Sequence, residues 1–263
     1  MFKQSFNLGL SFLGLKTVNK QYSNAETLAP IKLAFATYEK SLNDDKHVPP
    51  FLILHGLFGS KSNWVSLCKA YQQRTLPQRK VIALDLRNHG DSPHSESHSY
   101  ADLAADVKQF LVDQHIHKVD LMGHSMGGRT AMLFALKYPE HVNKLIIVDI
   151  SPVTTSPNLN QMPGLFTAME RVQLPKNVSM SKARSTVDAQ LAKSIADPNL
   201  RAFLLTNLVQ KDDGYRWRVN IPALLQNFNN ITRFPLLNDM QYKGSTLFIG
   251  GANSDFIGLF SRN

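Results

Sequence analysis

The chain has 263 residues, of which 43% are hydrophobic and 19% are charged, and its formal net charge is +9. This composition is typical of a folded globular domain, and the basic residues are too scattered to indicate a nucleic-acid partner. Its one cysteine, Cys68, excludes an intramolecular disulfide, and no apolar run is long enough to span a bilayer. We expect Cys68 to pack in the core.

Residues 1–25 differ from the rest of the chain in composition. They contain three lysines and no acidic residue, and their phenylalanines and leucines are interleaved with serine and asparagine. Such a segment is typical of a transit peptide, so it predicts a mitochondrial matrix protein whose folded domain occupies residues 26–263. The alternatives are a signal peptide with residues 6–15 as its apolar segment, and a cytoplasmic protein.

Apolar runs and amphipathic stretches alternate along most of the chain. They predict strands at residues 31–38, 51–54, 81–84, 118–122, 144–150 and 246–251, and helices at residues 63–73, 99–114 and 129–138. This alternation predicts an α/β fold with a mostly parallel sheet and helices on both faces. Ligands bind at the carboxyl ends of such strands, where four polar residues are expected to converge: His55, Asp85, Ser125 and Asp149.

Between residues 152 and 242 strand-like runs nearly vanish. We predict a helical lid over the carboxyl edge of the sheet, with helices at residues 165–172, 181–196, 200–209 and 220–229 and a turn at Asp213-Gly214. Apolar residues of this lid either line an acyl site or, as is more common, pack the lid on the core: Met162, Phe166, Met169, Leu204 and Leu205.

The sequence Gly123-His124-Ser125-Met126-Gly127 has the pattern G-x-S-x-G between a predicted strand and a predicted helix. This is the context of a nucleophile elbow, a tight turn that strains the backbone of the serine and exposes its hydroxyl. Gly123 and Gly127 permit the close approach of strand and helix that this turn requires. The alternative is an ordinary glycine-rich turn with a surface serine.

Further motifs follow in order along residues 51–257. They are His55-Gly56-Leu57-Phe58-Gly59-Ser60, Asp85-Leu86-Arg87-Asn88-His89-Gly90, Val148-Asp149-Ile150-Ser151-Pro152, Leu205-Thr206-Asn207-Leu208-Val209, Trp217-Arg218-Val219-Asn220, and Gly251 with Asn253-Ser254. With them the chain resembles the α/β-hydrolase superfamily, and within it the α/β-hydrolase domain-containing protein 11 group of mitochondrial serine hydrolases and their small bacterial esterase relatives.

The resemblance implies an α/β-hydrolase fold and a serine hydrolase that cleaves carboxylic, lipid-like acyl esters without a metal or organic cofactor. It also makes an association with mitochondrial 2-oxoacid dehydrogenase complexes conceivable. Ser125 would attack the acyl carbonyl, and the backbone N–H groups of Leu57 and Met126 would hold the oxyanion. Gly56 lets the backbone approach, and His55 shapes this loop rather than serving as the base.

Two aspartates are candidates for the acid that orients the base. Most members of the superfamily place it in a G-x-x-D pattern after the penultimate strand. Here Ser254 takes that position and Asp255 comes one residue late. Asp149 ends the preceding strand in a motif that the relatives share, and it is the favoured candidate.

The base itself is not found among the histidines of this sequence in the expected order of serine, acid and histidine, because none of the nine follows His141. The relatives carry it near their C terminus. We therefore expect a truncated chain without that histidine and without the final strand and helix, with reduced stability or aggregation. The alternatives are a non-catalytic form or interaction protein that keeps the fold, and another base such as His124 or His89. Epoxide or haloalkane hydrolysis is disfavoured, because it needs an aspartate in place of Ser125.

Overall fold

The computed structural model describes residues 29–39, 48–152, 159, 162–235, 240–252 and 254. Its main feature is a six-stranded sheet with the order β1-β3-β2-β4-β5-β8. The strands are β1 (Phe35–Tyr38), β2 (Phe51–Leu54), β3 (Val81–Leu84), β4 (Val119–His124), β5 (Val142–Val148) and β8 (Ser245–Ile249). Only β1 pairs in the antiparallel sense, so the predicted mostly parallel sheet is confirmed. Our predictions for residues 1–25 and Asp255 lie outside the described residues.

Each central strand is buried on both faces, as its continuous apolar run predicts. In β2, Leu52 and Leu54 pack into the larger core, whereas Phe51 and Ile53 pack into a smaller core that contains Cys68. This alternation follows from the two-residue period of a strand. Cys68 is fully buried, as expected.

Helices cover both faces of the sheet. On one side lies α1 (Val65–Arg74), which follows a short 3-10 turn at Lys61–Trp64 and carries Cys68. On the other lie α2 (Tyr100–Asp113) and α3 (Met126–Lys137), which pack against each other. The predicted start of α2 is confirmed: the Ser99 hydroxyl accepts the N–H of Asp102 at 3.1 Å, and the Asp102 carboxylate accepts the N–H of Ser99 at 2.9 Å.

Several predicted boundaries differ from the structure. Strand β1 begins at Phe35 rather than at residue 31, and the helix predicted at residues 220–229 is two short helices, Ile221–Gln226 and Phe228–Thr232.

Two further differences lie beside Ser125 and Asp149. Helix α3 begins at Met126 rather than at residue 129, because the turn at Ser125 leads directly into it. Its first turn therefore contains Gly127 and Gly128, although glycine has a low helix propensity. Strand β5 ends at Val148 rather than at residue 150, so Asp149 follows the strand with a φ of 56° instead of ending it.

The lid contains α4 (Met162–Glu170), α5 (Met180–Leu191), α6 (Pro198–Leu205), α7 (Ile221–Gln226) and α8 (Phe228–Thr232), and between α6 and α7 an antiparallel hairpin of β6 (Leu208–Lys211) and β7 (Gly214–Trp217). The prediction of a helix over residues 200–209 is therefore wrong at its end. Val209 pairs with Arg216, a contact that local periodicity does not encode. No helix in the described part of the chain is long and apolar enough to cross a membrane.

Most of the apolar lid residues pack the lid on the core instead of lining a site. Phe166, Met169 and Leu204 are fully buried, and Phe166 packs its ring against Phe58 with 4.9 Å between the ring centroids. Met162 is the exception, since it lines a cavity beside Ser125. The lid is thereby continuous with the hydrophobic core.

Candidate active site

Ser125 occupies the turn between β4 and α3 in a strained backbone conformation, with φ at 52° and ψ at −117°. Its N–H donates to the carbonyl of Val148 at 3.0 Å, and its carbonyl accepts the N–H of Arg129 at 3.1 Å. These bonds fix the turn from both sides. The hydroxyl of Ser125 forms no hydrogen bond with any residue that the structure describes, and the residue is partly exposed. A positive φ is uncommon for a residue other than glycine, and such strain clusters at functional sites.

Two glycines are required by the close packing at this turn. A Cβ on Gly123 would lie 2.1 Å from the carbonyl oxygen of Gly127, and a Cβ on Gly127 would lie 2.5 Å from those of Leu54 and His55. No side chain fits at these distances, so strand and helix are in contact through their backbones here.

A small apolar cavity of about 30 Å³ lies beside Ser125. Its lining consists of Leu57, Tyr100, Ser125, Met126, Ile150, Leu159, Met162 and Ile231. Ligand pockets usually measure several hundred cubic ångströms, so a substrate needs displacement of the lid residues Leu159 and Met162. A larger cavity of about 590 Å³ lies between α4 and α6, away from Ser125.

In the loop of residues 55–59, here called the oxyanion loop, the backbone N–H of Leu57 points out of the turn. The carbonyl of Gly56 accepts the N–H of Gly59 at 2.9 Å and the Nδ1–H of His55 at 2.8 Å. In a trans peptide the N–H points opposite to the carbonyl. The N–H of Leu57, on the same peptide, therefore points out of the turn, and it has no acceptor among the described residues.

The second N–H without an acceptor in the described part of the chain belongs to Met126, at the first position of α3. The first N–H groups of a helix have no intrahelical acceptor, and they carry the positive end of the helix dipole. Met126 lines the same cavity as Leu57 and Ser125. The three predicted residues are thus brought together, in an arrangement able to hold a negatively charged oxygen beside the serine.

Asp149 lies at the carboxyl end of β5, next to the strand that leads to Ser125. Its Oδ1 accepts the N–H of Gly251 at 3.1 Å. A Cβ placed on Gly251 would lie 3.6 Å from that Oδ1 and 3.2 Å from the Cβ of Ser254. Asp149 and the position that Ser254 takes in the G-x-x-D pattern therefore flank the same glycine.

The buried histidines have structural partners. His55 Nε2 accepts the N–H of Leu86 at 3.0 Å, and His89 Nε2 accepts the N–H of Phe58 at 3.2 Å. Because a backbone N–H can only donate, each Nδ1 carries the ring proton, which His89 donates to the carbonyl of Arg87 at 2.9 Å. Burial lowers the pKa of His55 to about 4 and that of His89 to about 3, so both rings are neutral at pH 7.

The ring of His124 forms no hydrogen bond with any described residue, and it packs near Trp64 with 6.3 Å between the ring centroids. Burial lowers its pKa, and the charge of Asp149 acts in the opposite direction. Its ring is directed to Gly56, where a Cβ would lie 3.0 Å from its Nδ1. Asp85, the fourth polar residue expected at this edge, instead pairs with Lys61 and accepts the N–H of Asp91 at 2.8 Å.

Two residues that we did not single out from the sequence hold the end of the lid. The hydroxyl of Tyr100 donates to the carbonyl of Ile231 at 2.6 Å, and the guanidinium of buried Arg129 donates to that of Thr232 at 2.7 Å. The only available signal was an arginine in an otherwise apolar helix face.

Within the part of the chain that is described, no three His, Cys, Asp or Glu side chains converge as metal ligands would.

A family model described as the alpha/beta hydrolase fold matches residues 49–228. The chain belongs to this family. Among its relatives is a mouse protein named sn-1-specific diacylglycerol lipase ABHD11, which is 42% identical over 230 residues, covering 88% of this chain and 72% of the relative. A putative esterase/lipase of Haemophilus influenzae is 32% identical over 212 residues, covering 80% of this chain and 69% of the relative.

A solved structure entitled "Marine microorganism esterase" superimposes on this α/β hydrolase with a TM-score of 0.77 at 35% identity, covering 88% of this chain and 84% of that one. These matches confirm the predicted fold and the resemblance to the α/β-hydrolase domain-containing protein 11 group and to bacterial esterases. The prediction of an ester hydrolase is confirmed at the level of the family, whose relatives carry lipase and esterase names.

Proposed function

We propose that this α/β hydrolase is a serine ester hydrolase that cleaves acyl esters through an acyl-enzyme on Ser125. The observation that carries the proposal is the position of Ser125: a strained turn places it in the lining of one cavity with Leu57 and Met126, whose backbone N–H groups have no acceptor among the described residues. An ordinary glycine-rich turn has no need of that strain or of two unpaired donors beside it.

In the proposed reaction, Ser125 Oγ forms a bond to the acyl carbonyl carbon while its proton passes to a base. The carbonyl oxygen becomes an oxyanion, which accepts hydrogen bonds from Leu57 and Met126. The alcohol leaves with the proton from the base. Water then attacks the acyl-enzyme by the same steps, which releases the carboxylic acid and restores Ser125. Asp149 orients the base and stabilises its charged form.

The lining of the cavity beside Ser125 supports an apolar substrate. Apart from the hydroxyls of Ser125 and Tyr100, its side chains are apolar, and the Tyr100 hydroxyl is already bonded to Ile231. Such a lining favours a hydrocarbon chain over a charged group. Together with the diacylglycerol lipase name of the mouse relative, it supports a lipid-like acyl ester. The mitochondrial location and an association with 2-oxoacid dehydrogenase complexes remain predictions from the resemblance.

The base determines how the proposal is tested. Since no described histidine bonds to Ser125, the full chain is treated with a fluorophosphonate probe with and without added imidazole, which can act as a diffusible base. Attack by Ser125 Oγ forms the O–P bond and expels fluoride, and imidazole takes the proton. We expect labelling that increases with imidazole, disappears in Ser125→Ala and is unchanged in Ser185→Ala, which alters an exposed serine on α5.

Labelling that persists in Ser125→Ala, or its absence in the presence of imidazole, would contradict the proposal. The second outcome supports the other candidate, a non-catalytic interaction protein that keeps the hydrolase fold. The missing bond between Ser125 and a described histidine is the observation in its favour. Hydrolysis of p-nitrophenyl esters with chains of increasing length then tests the preference for apolar acyl groups.

A further inference from the structure

The oxyanion loop is held by hydrogen bonds to both peptide groups of Phe58. The N–H of Phe58 donates to His89 Nε2 at 3.2 Å, and its carbonyl accepts the Nδ2–H of Asn207 at 2.8 Å. Both partners are almost completely buried, with 0% of His89 and 2% of Asn207 exposed. Water therefore does not replace either bond easily.

Phe58 needs such support because its φ is 61°. A positive φ is unfavourable for a bulky side chain and persists only where the surroundings hold it. The carbonyl of Phe58 shares a peptide with the N–H of Gly59. That N–H donates at 2.9 Å to the carbonyl of Gly56, which shares a peptide with the N–H of Leu57. The direction of the Leu57 N–H, one of the two proposed oxyanion donors, thus depends on the bonds made by Phe58.

Asn207 is well suited to hold this loop because its own backbone is fixed. It lies between α6 and β6 in the lid, its N–H donates to the carbonyl of Leu204 at 3.0 Å, and its carbonyl accepts the N–H of Arg218 at 2.7 Å. The Asn207–Phe58 bond joins residues 149 positions apart in sequence. It is therefore a direct contact between the lid and the oxyanion loop.

We propose that Asn207 is a positioning residue for the oxyanion site: a lid residue that, opposite His89, keeps the Leu57 N–H directed at the reacting oxygen. The inference rests on the proposed function of Ser125. It implies that a change of lid conformation at the α6–β6 junction alters the oxyanion site without contact between Asn207 and the substrate.

The test compares two asparagines with similar bonds. Asn207→Leu and the isosteric Asn207→Asp both remove the Nδ2 donor to Phe58. Asn227→Leu is the control, because Asn227 Nδ2 also joins the lid to a backbone carbonyl outside it, that of the exposed Glu96 at 2.7 Å, but away from the oxyanion loop. If Asn207→Leu does not fold, Asn207→Asp replaces it.

The first readout is formation of a tetrahedral boronate from an alkyl boronic acid, followed by ¹¹B NMR on the full chain. The Ser125 oxygen adds to boron and the serine proton passes to the buffer, which leaves an anion whose oxygen occupies the oxyanion position. We expect the Asn207 variants to bind the boronic acid about ten-fold or more weakly, as misdirection of one oxyanion donor predicts. The affinity for the neutral carboxamide of the same chain, which forms no oxyanion, stays within about two-fold, since Asn207 does not line the cavity.

The second readout is backbone hydrogen exchange of residues 56–59, which does not depend on reactivity. We expect it to become about ten-fold faster in the Asn207 variants and to stay unchanged in Asn227→Leu. Equal effects of the Asn207 and Asn227 variants, or unchanged exchange, would overturn the inference. Boronate formation that survives in Ser125→Ala, or fails in the unaltered chain, contradicts the proposed function instead, and the exchange data then decide whether Asn207 holds the loop.

Discussion

Asp149 Oδ1 accepts the N–H of Gly251 at 3.1 Å, which joins the carboxyl ends of the neighbouring parallel strands β5 and β8. The sequence left two places for the acid, one after each of these strands. Through this bond the Asp149 carboxylate, which follows β5, lies against Gly251, the first residue of the G-x-x-D pattern that follows β8. Asp149, after β5, is therefore close to the place where most members of the superfamily carry an acid after the next strand.

Removal of the Asp149 charge has a measurable effect on His124. Burial lowers the pKa of His124, and Asp149 opposes this by favouring the imidazolium. We expect Asp149→Asn, which keeps an oxygen for Gly251, to lower the pKa of His124 further, as measured by NMR titration of the ring protons. The same variant should decrease imidazole-supported fluorophosphonate labelling about ten-fold or more, since imidazolium loses its counter-charge.

Asp91→Asn is the matched control, because Asp91 pairs with Lys61 and Arg218 at another loop. It should change neither the His124 titration nor the labelling. A His124 pKa that stays the same or rises in Asp149→Asn would mean that the carboxylate does not favour the imidazolium of this ring, and unchanged labelling would argue against Asp149 as the acid.

Backbone contact at the Ser125 turn makes Gly123 intolerant of any side chain. The Cβ of Gly123→Ala would lie 2.1 Å from the Gly127 carbonyl oxygen, so strand and helix must separate. We expect a loss of at least about 3 kcal/mol in the free energy of unfolding, measured with urea. Gly164→Ala provides the opposite case on α4, where a Cβ meets nothing within 4 Å, and helix propensity predicts a gain of about 0.5–1 kcal/mol. Similar effects of both substitutions would refute this packing argument.

Local sequence encodes the parts of the fold that depend on neighbouring residues. The apolar runs of β2 and β3 and the Ser99–Asp102 capping box were predictable, because period and cap chemistry act over a few positions. The end of α6 was not, since Val209 is drawn into a strand by pairing with Arg216. For the same reason the bond between Asn207 and Phe58 was not predictable from local patterns, although both residues stand in motifs of the family.

Acid should destabilise the fold through its buried histidines. The pKa of His55 falls to about 4 and that of His89 to about 3 in the folded state, against about 6.5 in the unfolded chain. Below pH 6.5 the unfolded state binds protons that the folded state does not, so stability is fully present above pH 6.5 and decreases as the pH falls toward 4 and 3. Each histidine contributes about 1.4 kcal/mol per pH unit in that range.

Urea unfolding at several pH values between 7 and 4.5 measures this dependence. His89→Gln can still accept the Phe58 N–H. In this variant the slope of the unfolding free energy against pH should correspond to about one proton fewer than in the unaltered chain. His94→Gln is the control, since the ring of His94 is exposed on the surface. If His89→Gln leaves the slope unchanged, His89 is already charged in the folded protein.

Strand β8 exposes more large apolar side chains than any other strand that the structure describes. Leu247 is 53% exposed, Phe248 47% and Ile249 44%, and among the described residues β8 pairs only with β5, on one side. Such an edge is a template for pairing with another chain, so we expect concentration-dependent self-association. Phe248→Lys should reduce it, because a charge on an edge strand opposes pairing; light scattering over a concentration series provides the measurement.

Leu76→Lys separates strand pairing from general hydrophobicity. Leu76 is 88% exposed, more than Leu247, Phe248 or Ile249, but it lies in the loop after α1 and offers no strand edge. Strand pairing predicts that Phe248→Lys increases the soluble fraction several-fold, whereas Leu76→Lys changes it little. If the two substitutions are equally effective, exposed apolar area rather than the β8 edge drives the association.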